Sequence, residues 1–206
     1  MSADASCRPA GDRAVLIELK DNDAVQQLAA GLEPRRGSEL EEIVPGHETL
    51  LLVWPSAAPA IGKVEELVAA AAVAAEATAP AGEIELTVSY DGPDLEQVAA
   101  SCGFSPEEVV ARHLACRYRV GFIGFSPGFA YLLGGDAALQ PPRLAEPRTR
   151  VPAGALAIAG PYSAVYPRSS PGGWNLIGSC DEQIFDPTQN PPALLTAGTV
   201  VRLVAK

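Results

Sequence analysis

The sequence has 206 residues, enough for one large domain or two small ones, each with a core. Hydrophobic residues make up 48% and charged residues 19%, which excludes a disordered or fibrous chain. A formal net charge of −10 argues against non-specific binding to nucleic acid or anionic membrane. The longest apolar run, residues 64–79, is alanine-rich, too short to span a bilayer, and carries Glu65, Glu66 and Glu76. The opening MSADASCRPAGDR lacks the apolar centre of a secretory leader. Cys7, Cys102, Cys116 and Cys180 lie far apart without a C-x-x-C pair, so reduced thiols are expected rather than disulfides or a metal site. Together these features predict a cytoplasmic protein with neither nucleic acid nor membrane as partner.

In chain order, AVLIEL (14–19) has the apolar run of a strand. DNDAVQQLAAGLE (21–33) follows as a helix with Asp21 or Asn22 as N-cap. LEEIV (40–44) and ETLLLVW (48–54) flank Pro45-Gly46-His47, a hairpin signal. A second helix is expected over 61–77. EIELTVSY (83–90) alternates with period two, as a strand does. The order β-α-β-β-α-β is that of a split βαβ, or ferredoxin-like, domain, although its last strand suits the following segment equally well. Pro80-Ala81-Gly82 and Asp91-Gly92-Pro93 offer breaks. We place the boundary after residue 82, giving a small α/β domain (1–82) and a second domain (83–206).

Two helices are expected to open the second domain. One starts at Asp94. The other has Ser105 as N-cap, Pro106 at its first position and Glu107 and Glu108 in its first turn, and runs to about His113. From Tyr118 onward the runs YRVGFI, ALAIAG, SAVYP, NLIG and TVVRLV alternate with Gly and Pro, the texture of a barrel or sandwich of short strands.

GFIGFSPGFAYL (121–132) holds three of the five phenylalanines and a G-x-S-x-G match centred on Ser126. A nucleophile elbow needs an amide after its serine, and Pro127 has none. No histidine follows Ser126, so a serine triad is excluded. There is no G-x-x-x-x-G-K-[ST] and no G-x-G-x-x-G, so any nucleotide is handled without those loops. Between residues 112 and 168 lie seven arginines (112, 117, 119, 143, 148, 150, 168) and two acids (Asp136, Glu146), a local excess of +5. Pro-Arg recurs at 142–143, 147–148 and 167–168, and a proline-stiffened arginine suits capture of a carboxylate or phosphate. The same arginines also suit ordinary surface ion pairs. Pro171-Gly172-Gly173-Trp174 delivers a tryptophan on a tight turn that permits close backbone approach. Phe125, Phe129 and Tyr131 fit either a ligand wall or a core. His113 is the better placed of two imidazoles for general acid–base work, with a structural role as the other reading. Cys180 has no neighbour that would activate its thiol.

GFIGFSPGFAYL, EPRTRVPAGALAIAG (146–160) and YPRSSPGGWNLIG (166–178), in that order, resemble the family of 5-oxoprolinase B subunits. That family is also called allophanate hydrolase subunit 1 or the Kip-type inhibitor of a sporulation histidine kinase. GDRAVLIEL, IELTVSYDGPDLEQVA and EEVVARHLACRYRV fall in the family's order, so the resemblance covers essentially the whole chain. It implies an α+β protein with a small ferredoxin-like N-terminal domain and a cyclophilin-like C-terminal β-barrel. It also implies one component of an ATP-dependent 5-oxoprolinase, a hydrolase opening a cyclic amide. That enzyme would be a hetero-oligomer with two other components, a homologous cyclophilin-like C-type chain and a separate A-type chain. The alternative the resemblance carries is a regulator that inhibits a sensor histidine kinase. ATP with Mg is the implied co-substrate, at a site shared with the partner. His113 and Arg148 are then the catalytic candidates. Arg143, Arg150 and Arg168 would bind substrate or nucleotide, with Phe125, Phe129, Tyr131, Tyr166 and Trp174 as walls. Gly128, Gly154, Gly172 and Gly173 would let the backbone approach. The chain departs from the family where Tyr162, Ser163 and Ala164 replace Gln, Thr and Gly, where Ala155 replaces Ser, and where Ser179 and Cys180 replace Arg and Thr.

Overall fold

The computed structural model describes residues 5–74 and 82–206. The chain divides into two compact units, Met1–Pro80 and Ala81–Lys206. The end of the helix expected to reach residue 77, Glu76, and the Pro80-Ala81 break lie outside the described residues, as do the first four residues of the N-terminal run.

The first unit is a four-stranded antiparallel sheet with two helices. Strands β1 (Ser6–Pro9), β2 (Ala14–Glu18), β3 (Glu42–Pro45) and β4 (Thr49–Val53) lie in the order β1-β2-β4-β3. Helix α1 (Asn22–Leu32) links β2 to β3, and α2 (Ile61–Ala74) follows β4. Because β2 and β3 both run antiparallel to β4, α1 is a crossover between parallel strands with β4 inserted between them. Asp21 caps α1 by accepting the Ala24 amide at 2.8 Å. The core alternates along the strands: Val15 and Ile17 from β2, Leu50 and Leu52 from β4, and Val25, Leu28 and Leu32 from α1. The fourth strand of this sheet is β1, which carries no strand signal in the sequence. The 83–90 run does not join it.

That run, β5 (Glu83–Ser89), belongs to the second unit. There β6 (Arg117–Ile123), β7 (Ala130–Leu133), β9 (Ala155–Ala159), β10 (Tyr162–Val165), β12 (Asn175–Cys180) and β13 (Val200–Ala205) close with it into a seven-stranded barrel, in the order β10-β7-β6-β13-β5-β12-β9. All its pairs are antiparallel except β13 with β5. Strands β8 (Arg148–Val151) and β11 (Ser170–Gly172) form a separate ribbon. Helix α3 (Leu95–Cys102) and helix α4 (Pro106–Ala115) precede the barrel's main run of strands. Helix α4 opens on the expected capping box, Ser105 and Glu108 each bonding the other's backbone amide. No helix among the described residues is long and apolar enough to cross a membrane.

Two apolar clusters occupy the barrel unit. The larger fills the interior with Leu86, Val88, Val120, Leu132, Leu156, Ile158, Ile177 and Val201, and takes Val98, Ala99 and Val109 from the two helices. The smaller lies on the opposite face of β7, β9, β10 and β12 and gathers Phe129, Ala157, Ala159, Ala164, Tyr166 and Trp174.

Strand β12 crosses the end of β5 closely enough that a methyl group at Gly178 would overlap the Ser89 carbonyl. The obstacle is backbone, which cannot swing aside. Gly178→Ala is therefore expected to cost about 1–3 kcal/mol, read as a lowered melting temperature. A wild-type melting temperature would contradict this packing.

Candidate functional site

The smaller cluster is a wall of rings. Phe129 is its centre, meeting Phe125, Tyr131, Tyr166 and Trp174 edge to face at 5.1–5.5 Å between centroids. Tyr131 stacks on Phe122 at 4.3 Å. Tyr162 stands edge-on to both, 5.9 Å from Phe122 and 5.4 Å from Tyr131, and lies nearly parallel to Trp174 at 6.2 Å. Phe129, Tyr166 and Trp174 are buried, whereas Phe122, Tyr131 and Tyr162 are half-exposed. The structure thus brings together the five aromatic residues singled out in sequence and adds Phe122 and Tyr162. Strand alternation could have found these two: Phe122 pairs with Tyr131 across β6 and β7, and Tyr162, Ala164 and Tyr166 share one face.

The loop joining β6 to β7 is strained. Phe125 has φ 63°, the one described non-glycine residue with positive φ. The Ser126 amide bonds back to the Gly124 carbonyl at 2.6 Å, closing a three-residue turn of the rarely populated hand. Phe125 is nevertheless 63% exposed. Ser126 Oγ is buried without a hydrogen-bond partner, so no base activates it. Strain of this kind is retained where surrounding structure enforces it, commonly at functional sites.

The arginines separate into two groups. Arg112 pairs with Asp136 at 2.8 Å and lies over the Phe104 ring; Arg117 pairs with Glu83 at 2.6 Å. These are structural. Arg143, Arg150 and Arg168 are exposed and have no carboxylate partner among the described residues. Among the described residues Arg150 meets the Ser169 hydroxyl, at 3.3 Å. Arg143 is held beside the cluster because the neighbouring Leu144 amide bonds the Gly173 carbonyl at 2.8 Å. Burial raises the Tyr131 phenol, and the Arg143 charge opposes the rise. At Tyr166 burial again raises the phenol, against the Trp174 amide, Arg143 and Arg148. Arg148 itself is paired with buried Asp94 at 2.6 Å.

The glycines play unequal parts. Gly172 packs under the Tyr166 hydroxyl, where any side chain would collide. Gly173 supplies the carbonyl that holds Leu144. Gly128 packs against Phe185. The Gly154 amide and carbonyl are spent on Tyr166 and Cys180, at 2.8 Å each. Gly154 thus shapes its loop and leaves no free backbone for a ligand, which corrects the expectation of backbone approach there.

His113 is not at this site. Its ring is fully buried, with Nδ1 bonded to the Tyr90 hydroxyl and Nε2 to the Ser163 hydroxyl, both at 2.8 Å. Ser163 points into the barrel, while its neighbours Tyr162 and Ala164 point to the aromatic face. A sealed imidazole with both nitrogens engaged has no proton to exchange with a ligand across the sheet. The acid–base assignment is therefore corrected to a structural link between α4 and β10.

The sequence pattern of the carboxyltransferase domain, subdomain C and D, matches residues 5–195. The chain belongs to that family. It is 34% identical over 208 residues to the B subunit of 5-oxoprolinase from Haemophilus influenzae, covering 96% of both chains. It is 49% identical over 124 residues to the B subunit of 5-oxoprolinase from Escherichia coli O157:H7, over 59% of this chain. That match spans 57% of the E. coli relative's length. The solved structure of TTHA0988 superimposes with a TM-score of 0.81 at 34% identity, covering 94% of this chain and 40% of that one. Similar proteins therefore include longer chains in which this region is one part.

Two outcomes follow from the geometry. Burial holds the His113 imidazole down to about 3 from its ordinary 6.5, so only the unfolded chain takes up a proton between those values. The stabilisation is complete above pH 6.5 and is lost as pH falls toward 3. Urea unfolding between pH 6.5 and about 5 should show a stability slope steeper than that of His113→Gln, by up to about 1.4 kcal/mol per pH unit. Equal slopes would contradict the sealed ring. Separately, Phe125→Gly should leave stability unchanged or raise it by up to about 1 kcal/mol despite the lost ring, whereas Phe125→Val should lower it. A large loss on Phe125→Gly would place that ring in the core instead.

Proposed function

We propose that the chain is one component of a 5-oxoprolinase-type hydrolase. In this reading it works in the cytoplasm with a homologous C-type chain and a separate A-type chain. The second unit is a cyclophilin-like barrel and the first a ferredoxin-like domain. The carrying observation is the half-exposed aromatic wall of Phe122, Tyr131 and Tyr162 beside Arg143, which no carboxylate among the described residues neutralises.

A five-membered lactam is flat, partly apolar and, in 5-oxoproline, anionic. A wall of rings packs its faces, and a guanidinium takes its carboxylate. The amide is resonance-stabilised, and ATP with Mg would supply the activation that its opening requires. Arg150 and Arg168, which no carboxylate among the described residues neutralises, are the candidates to hold phosphate oxygens, leaving Arg143, beside the rings, for the carboxylate. Phe122, Tyr131 and Tyr162 stay half-exposed, a surface that a partner chain would cover. TTHA0988, a longer chain of which this region matches 40%, supports a design in which this region works beside further chain.

The test is to co-express this chain with its C-type and A-type partners and assay glutamate release from 5-oxoproline with and without ATP. ATP-dependent release that disappears when this chain is omitted is the expected result. Release that persists without it would overturn the reading. Failure to assemble with either partner would also overturn it and favour the kinase regulator.

A further inference from the structure

Asp94 stands where α3 should be capped, yet its side chain makes no capping bond. Giving up an N-cap weakens a helix. Asp94 is only 5% exposed, and its carboxylate is spent elsewhere. Oδ1 accepts from Arg148 Nη2 at 2.6 Å, and Oδ2 accepts from the Leu176 amide at 2.7 Å. The Asp94 amide in turn donates to the Leu176 carbonyl at 2.9 Å. A carboxylate held at both oxygens, with its own backbone pinned to β12, cannot rotate. Only the Asp94 end of the pair is fully buried, Arg148 being partly exposed, but a desolvated carboxylate seldom repays its burial through one ion pair, so this one calls for a reason besides stability.

The other end of the pair supplies one. Arg148 gives Nη2 to Asp94, but Nη1 is buried with no hydrogen-bond partner. Orphaned buried donors are rare and costly. Arg148 pairs with Gly172, which lies against the Tyr166 hydroxyl, and Leu144, next to Arg143, bonds the Gly173 carbonyl, so both arginines flank the Gly172–Gly173 turn beside the aromatic cluster. Arg143 has no carboxylate behind it. Two guanidiniums less one carboxylate leave a single net positive charge, which matches a monoanion better than a phosphate dianion.

We infer that Asp94 is a positioning residue for a carboxylate subsite. It grips Arg148 by Nη2 so that Nη1, together with Arg143, receives the carboxylate of a small substrate. This rests on the reading that the aromatic face is the substrate site.

The test is direct binding to the whole chain, followed by Trp174 fluorescence in a Trp54→Phe background that removes the other tryptophan. The probes are 5-oxoproline, 2-pyrrolidinone (the same ring without the carboxylate) and inorganic phosphate. Saturable binding of 5-oxoproline is expected, with 2-pyrrolidinone and phosphate much weaker. Asp94→Asn should weaken 5-oxoproline binding roughly tenfold. Charge alone predicts the opposite, since losing a carboxylate makes the site more positive and would tighten an anion. Arg148→Lys, which keeps both charges but loses the fork, should weaken binding similarly while preserving the Asp94–Leu176 bonds. Unchanged or tighter binding in Asp94→Asn would overturn the inference. So would equal binding of 2-pyrrolidinone, or no 5-oxoproline binding by the parent chain. Failure of the hydrolase reading looks different: 5-oxoproline binds as described, but the assembled wild-type complex releases no glutamate.

Discussion

Strand β9 is Ala155-Leu156-Ala157-Ile158-Ala159, and all five side chains are buried. Alternation sends Leu156 and Ile158 into the barrel and the three alanines outward. A sheet face made of alanines is nearly flat, and it lies about one ring thickness below where larger residues would end. Phe129, Tyr166 and Trp174 settle on that floor, with Ala164 of β10 extending it. The aromatic wall therefore depends on the smallest side chains beneath it. A larger residue at position 157 would lift the rings and break the edge-to-face contacts around Phe129.

The floor fixes where rings can lie, and polar links fix what frames them. Asp94 ties the segment before α3 to β12 through Leu176 and to the β8–β11 ribbon through Arg148. Leu144 ties the Arg143 loop to Gly173. Asn175 reaches the Pro142 carbonyl at 2.8 Å from the buried end of β12. Three segments distant in sequence are thus held to one strand, at the rim of one cluster. Of the arginines without a carboxylate among the described residues, Arg143 and Arg150 lie in the segments so held and Arg168 lies two residues before β11, whereas Arg112 and Arg117 are already neutralised. A local excess of positive charge is thereby resolved into spent and unspent cations, which composition alone cannot do.

The same distinction explains what was legible in the sequence. Local signals were readable because their physics is local: the Asp21 cap, the Ser105–Glu108 box and the period-two run of β5. Strand β1 escaped notice because a four-residue edge strand with a terminal proline carries little periodic signal. Asp94 has the identity and position of a helix cap, and only the tertiary structure gives its carboxylate to Arg148. His113 shows the complementary limit. Its place at the end of α4 was readable, but which face of β10 it meets depends on the parity of a strand about fifty residues away, where one step would have put it among the rings. The aromatic residues were visible as candidates, yet their convergence needed the order of β6, β7, β10 and β12 around the barrel.

That order also limits where ligand chemistry can occur in the second unit. A seven-stranded barrel is narrow enough for its own side chains to fill it, and here Leu86, Val120, Leu132, Leu156, Ile158 and Val201 do so. With the interior occupied, recognition must use the outer face or the loops. The outer face at β7, β9, β10 and β12 would be an exposed apolar patch if left bare, and the ribbon, the Arg143 loop and the strained Phe125 turn lie around it. Phe125 is the informative element among them. A turn built only to cover apolar surface would bury its phenylalanine and relax its backbone. This one holds the ring 63% exposed in a left-handed conformation. The strain and the exposure thus go together: the turn holds the ring outward, and Phe129 and the cluster behind it give the turn a rigid base.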